Sequence, residues 1–121
     1  MTTEEVAKKL VELCHAGQFE EATKTLYGQD IVSVEAHAMG DMPAVAEGFD
    51  AVWAKTEWWV KNHEVHSTKA TGPFVANEKF VVRFDIDVTN KPSGKRFQGS
   101  EVGIYTVKDG KVVREEFLPM V

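Results

Sequence analysis

The sequence predicts a segregated α+β fold, in which helices come first and an antiparallel meander follows. Three observations carry that prediction. Apolar residues recur at helical spacing through most of the first 62 positions, they alternate with period two beyond, and GP, NKPSG and KDG turns cut the second half into consecutive hairpins. Strands with one apolar face need a cover, and the helices that precede them provide it. The chain has 121 residues, which suits one domain over 1–121 and a core that buries about two thirds of the unfolded surface.

Thr2 or Thr3 caps a first helix, along which Val6, Leu10, Leu13 and Cys14 repeat until Gly17. Phe19, Ala22, Thr23, Leu26 and Tyr27 form a second, shorter stripe that stops at Gly28, so the two make a helical hairpin. The β-branched run from Ile31 to Glu35 reads as a strand, and 36–47, with two Met, a Pro and a Gly, as an irregular loop. Gly48 or Asp50 then opens a third helix that runs through Asn62 and turns Val52, Trp53, Thr56, Trp59 and Val60 to the core. Strands follow at about 64–71, 79–90, 96–108 and 111–118. In the second of these, Phe80, Val82, Phe84, Ile86 and Val88 make one apolar face, and Arg83, Asp85 and Asp87 point the other way.

Composition narrows the function classes. The net charge is −5, and the densest basic stretch runs only from Lys91 to Arg96, which opposes a nucleic-acid partner. No apolar run reaches the roughly 18 residues of a membrane span. The opening MTTEEVAKK lacks a signal peptide's apolar stretch, so a cytoplasmic protein is expected. Cys14 is the lone cysteine, which excludes an internal disulfide and marks it as core packing. There is no phosphate loop, dinucleotide fingerprint or G-x-S-x-G, so neither a nucleotide cofactor nor an acyl-enzyme is expected. His37, Glu35 and Glu101 are the best grouping for a metal, but no ligand spacing supports one, and none is expected.

The order of elements, together with QDIVSVE, EGFDAV and the closing IYTVKDGKVVREEF, resembles the SnoaL-like branch of the nuclear transport factor 2-like superfamily. The resemblance implies a cone-shaped curved antiparallel sheet with the three helices of the N-terminal half across its concave face, enclosing a blind pocket. The superfamily includes ketosteroid isomerase, polyketide cyclases, limonene epoxide hydrolase and domains without catalysis. Resemblance to the isomerase puts Glu35 at the general-base position and Leu10 where that family has an oxyanion tyrosine. Resemblance to the hydrolase puts Phe84, Ile86 and Phe117 at its three charged positions, which removes its water-activating relay. The same register turns Phe84, Ile86, Val88, Gly99, Glu101, Glu115 and Phe117 inward, with Trp59 and His63 at the end of the third helix.

The candidate catalytic residues are therefore Glu35, Glu101 and Glu115, with Tyr105 as an O–H donor on the strand face of Glu101 and His37 as a proton shuttle two residues beyond Glu35. Burial and mutual repulsion raise carboxyl pKa values, so one group can act as base and another as proton donor near neutrality. Trp59, His63, Phe84, Ile86, Val88 and Phe117 are the candidate ligand contacts, and Trp53 and Trp58 read as packing. Two functions remain open. One is a cofactor-free acid–base enzyme of the isomerase, cyclase or dehydratase type, acting on a small hydrophobic carbonyl compound. The other is a non-catalytic module that binds a hydrophobic ligand or dimerises. Loop 36–47 is expected to act as a lid. A homodimer is expected through the outer sheet face, where Val81, Val102, Ile104 and Leu118 mingle with Arg83, Asp85, Arg114 and Glu116.

Overall fold

The computed structural model describes residues 1–120. Helix α1 spans Thr3–His15, and its first turn is closed by a capping box in which the Thr2 hydroxyl accepts from the Glu5 N–H and the Glu5 carboxylate accepts from the Thr2 N–H. Val6, Ala7, Leu10, Leu13 and Cys14 form its buried stripe. Helix α2, Phe19–Leu26, buries Ala22, Thr23 and Leu26, and helix α3 spans Phe49–Asn62.

The six strands are β1 (Tyr27–Val34), β2 (Val45–Glu47), β3 (His63–Ala76), β4 (Lys79–Asn90), β5 (Lys95–Lys108) and β6 (Lys111–Met120). They form one sheet in the order β2-β1-β6-β5-β4-β3. Every pairing is antiparallel except that of β1 with β6, which is parallel and brings Ser33 beside Glu115. Parallel neighbours require a long crossover, and here everything from β2 to β5 lies between the two in sequence. Helix α1 packs on β3, β4 and β5, and α3 on β1, β2 and β3, so one sheet face is covered. The core on that face joins the α1 stripe to Phe80, Val82, Phe84, Tyr105, Val107 and Val112.

Four local expectations are corrected. Tyr27 begins β1 rather than ending the second helix, because the helix closes at Leu26 and Tyr27 takes an extended conformation (φ −90°, ψ 139°). The segment 36–47 is not wholly irregular: its last three residues pair as β2 with β1, and Met39 and Met42 exchange backbone hydrogen bonds of 2.9 Å at its tip. β3 runs on to Ala76, past the expected end at 71. The buried positions of α3 are Val52 and Lys55, while Trp53 is half-buried against Phe49.

Candidate functional site

Strand alternation places Ile31 and Ser33 on the covered side of β1, both fully buried, and Glu35, one residue past the strand's end, continues that side. Register then sets Glu115 of β6 beside Ser33 on one flank and beside Tyr105 of β5 on the other. Glu101 lies four residues before Tyr105 on the same face, opposite Phe84 and Pro119. From above, α3 delivers Lys55, three residues after the buried Val52 and therefore on the same helical face.

Glu35, Lys55, Ser33, Glu115 and Tyr27 form one continuous hydrogen-bonded chain. The Lys55 ammonium donates to Glu35 Oε2 at 2.6 Å and to Ser33 Oγ at 2.7 Å. Ser33 Oγ donates to Glu115 Oε2 at 2.6 Å, and the Tyr27 hydroxyl donates to Glu115 Oε1. Lys55 and Glu35 expose only 11% and 15% of their side chains, so their attraction is weakly screened. The Lys55 Nζ also stands 5.5 Å from the centre of the Phe117 ring.

Apolar surroundings govern the ionisation of the carboxyls. Burial first, and then the negative charge of Glu35, raise Glu101 to about 7 despite the opposing pull of Lys55. Both the protonated and the ionised form of Glu101 are therefore within reach near neutral pH. Burial likewise raises Glu115, against the lowering effect of its bonds from Ser33 and Tyr27. Burial holds the Tyr105 and Tyr27 hydroxyls well above the usual phenol range. It also pushes the Cys14 thiol up to about 12, which leaves an inert packing residue.

Tyr105 is 1% exposed, with its ring stacked on Phe80 (4.8 Å between centres) and edge-on to Phe117 (6.2 Å). It leans over Gly103, where a β-carbon would meet Tyr105 Cε2 at 2.7 Å and Oη at 3.0 Å. Among the described residues its hydroxyl makes no hydrogen bond.

The remaining expected residues fall in different places. Phe84 and Val88 are buried, Ile86 and Phe117 are half-buried, and all four share the covered face. Trp59 and His63 stack at 4.5 Å, and His63 Nδ1 bonds the Trp59 carbonyl oxygen at 2.8 Å, so this pair closes the end of α3. His37 does not join the cluster: β1 ends at Val34, the chain bends, and His37 is exposed. A surface depression of about 380 Å³, lined by Ile86, Gly99 and Ser100 among others, and one of about 610 Å³ between α1 and α2 do not have Glu35, Lys55, Glu101 or Glu115 in their lining. Among the described residues no three histidines, cysteines or carboxylates converge as metal ligands. The cation among these carboxylates is Lys55.

Sequence reading missed Lys55, Ser33 and Tyr27. Lys55 left a signal, because a lysine interrupts the apolar stripe midway between Val52 and Trp59. Ser33 lies between Ile31 and Glu35 on their own strand face, which is a polar residue at a core position.

A family model for the SnoaL-like domain matches residues 1–118. A candidate SnoaL-like polyketide cyclase from Mesorhizobium loti is 42% identical, with 98% of this chain and 99% of that one aligned at a TM-score of 0.90. A candidate isomerase from Bacillus subtilis shares the fold at 18% identity, over 99% of this chain and 90% of that one, with a TM-score of 0.78. A protein of ketosteroid isomerase-like fold from Catenulispora acidiphila, solved with trimethylamine, aligns at 14% identity over 97% and 86% of the chains with a TM-score of 0.73. No curated protein matches the chain.

Proposed function

The chain belongs to the SnoaL-like domain family, and from that premise we propose that its concave face binds a small hydrophobic carbonyl compound and moves a proton within it without a cofactor. The observation that carries this reading is the gathering of Glu35, Glu101, Glu115, Lys55 and Tyr105 on one covered, otherwise apolar sheet face. Solvated surface charges need no such shelter, and burying them costs several kcal/mol, on the order of the stability of a small domain.

Glu101 is the proton carrier. A group poised near 7 is ionised often enough to abstract a proton activated by a carbonyl and still returns it readily at another carbon. Glu35 occupies the base position that resemblance to the isomerase implies, but its Oε2 is committed to the Lys55 ammonium. Tyr105, with a free hydroxyl on the strand face of Glu101, donates to the oxygen on which charge develops. Phe84, Ile86 and Phe117 supply the apolar walls.

The test uses a panel of ketones, enones and β-diketones in deuterated water, with label at carbon read by NMR. Glu101→Gln is expected to slow exchange about 100-fold or more, and Glu35→Gln to slow it less. Full exchange in Glu101→Gln removes Glu101 from its role. The second reading, a binding module, is favoured by apolar residues at the positions where the hydrolase carries its charged relay. Saturable binding with no exchange in the wild type establishes it.

A further inference from the structure

We propose that Lys55 is a catalytic residue of this reaction: its ammonium receives the negative charge that forms on the carbonyl oxygen of an uncharged substrate. The inference rests on the proton-transfer reading above and specifies its electrophile and its substrate class.

An ammonium has three donors. Lys55 spends two of them, on Glu35 Oε2 and Ser33 Oγ, and the third has no partner among the described residues. The residue is 8% exposed, so the ammonium is held in a largely buried setting. A purely structural ion pair in such a setting is expected to be fully bonded, because each buried donor left open costs free energy. An open donor on a buried, fixed cation is instead what stabilises charge that appears only during a reaction.

The fixation is thorough. Glu35 and Ser33 hold the ammonium from β1 while its own backbone is anchored in α3. Ser33 cannot turn away, because its hydroxyl is spent on Glu115 Oε2, and Glu115 is held in turn by the Tyr27 hydroxyl. Ser33, Glu115 and Tyr27 are thus positioning residues for Lys55. The Phe117 ring beside the ammonium keeps the surroundings apolar, where a cation acts most strongly on a nearby oxyanion.

Charge balance names the substrate class. Lys55 is matched by Glu35, and Glu115 and Glu101 lie within the same electrostatic neighbourhood. The site therefore has no surplus positive charge with which to hold a carboxylate or phosphate. A neutral ketone or aldehyde enters without the charge repulsion that an anion would meet. Glu101 removes the α-proton, the C–H electron pair becomes the enolate double bond, and the carbonyl π pair moves to the oxygen, which accepts the free Lys55 N–H. Glu101, whose acid proton exchanges with solvent, then gives a proton back to carbon, and the charge on oxygen disappears.

The probe is 4-nitrophenol, neutral when protonated and enolate-like when ionised, whose visible absorption reports the bound phenolate. It is titrated across pH with wild type, Lys55→Met and Lys55→Arg. Lys55→Met is expected to raise the ionisation midpoint of the bound phenol by about one pH unit or more, a roughly tenfold loss of phenolate at a given pH, and Lys55→Arg to restore part of it. In wild type the Lys55 Nζ–H resonance is expected to shift as phenolate binds, a measurement that stands even if Lys55→Met does not fold. An unchanged midpoint in Lys55→Met, or an unmoved Nζ–H resonance at saturation, overturns the role of Lys55 alone. Failure of the wild type to bind the phenol overturns the carbonyl-binding reading, and this inference with it.

Discussion

At the scale of single residues, Gly103 shows how closely the site is built. Alanine in place of a strand glycine usually gains about 0.5–1 kcal/mol of backbone entropy. Here the new methyl would meet Tyr105 Cε2 at 2.7 Å and Phe84 Cε2 at 3.1 Å, both ring atoms of buried side chains. Overpacking of that kind costs about 1–3 kcal/mol, so the clash wins. Gly103→Ala is expected to lower the thermal midpoint and to displace the Tyr105 hydroxyl, and an unchanged midpoint would show that the ring yields freely. Thr68 offers the opposite case. Its Oγ1 is buried without a hydrogen-bond partner among the described residues, so Thr68→Val removes an unsatisfied group at nearly constant shape. The expected outcome is a gain of about 1 kcal/mol in denaturant unfolding.

Among the elements, β1 carries the most chemistry and was the least legible in sequence. Its second half, Ile31 to Val34, declared itself through β-branched residues, but its first residue read as the end of a helix because Tyr27 continues the 3.6-residue stripe of α2. A periodic pattern cannot show where a helix stops when the next element's first apolar residue falls in phase with it. The parallel pairing with β6, a contact spanning some 80 residues of chain, left no local signal either, and it is that pairing which joins Ser33 to Glu115. Strands β4 to β6 were legible nearly to the residue, since alternation and short turns are local features. The hairpin from Glu35 to Glu47 holds its ends tightly, with Glu35 N–H donating to the Ala44 carbonyl at 2.7 Å, while its tip at Gly40 is exposed near Trp58. On the function proposed, this hairpin is the expected lid. Backbone exchange at 38–43 is expected to slow when 4-nitrophenol binds while β4 is unaffected, and unaltered exchange would make the hairpin a static wall.

On the scale of the whole molecule, the sheltered carboxyls set a trade between stability and function that pH exposes. Burial raises Glu101 from the ordinary 4.5 to about 7. The folded chain therefore holds this proton more tightly than the unfolded chain does. Between those two values the folded state binds more protons, so the contribution of Glu101 to stability is fully present below 4.5 and is lost as pH rises to about 7. A shift of that size is on the order of 3 kcal/mol, a sizeable part of the 5–15 kcal/mol that domains possess. Glu115, raised in the same sense, adds to the fall. Asp87 acts oppositely: bidentate bonds from Arg96 at 2.8 Å lower its pKa, so it supports the fold above the ordinary carboxyl range and ceases to do so in acid. Glu101→Gln keeps the side-chain shape and cannot ionise. Denaturant unfolding at a series of pH values should then show wild type weakening between about pH 5 and 7 and the variant weakening much less. The variant should be the more stable protein at pH 8 and, on the function proposed, the less active one. Parallel stability curves for the two proteins across that range would mean that Glu101 is solvated like a surface carboxylate, and the proton carrier would have to be sought in Glu35 or Glu115.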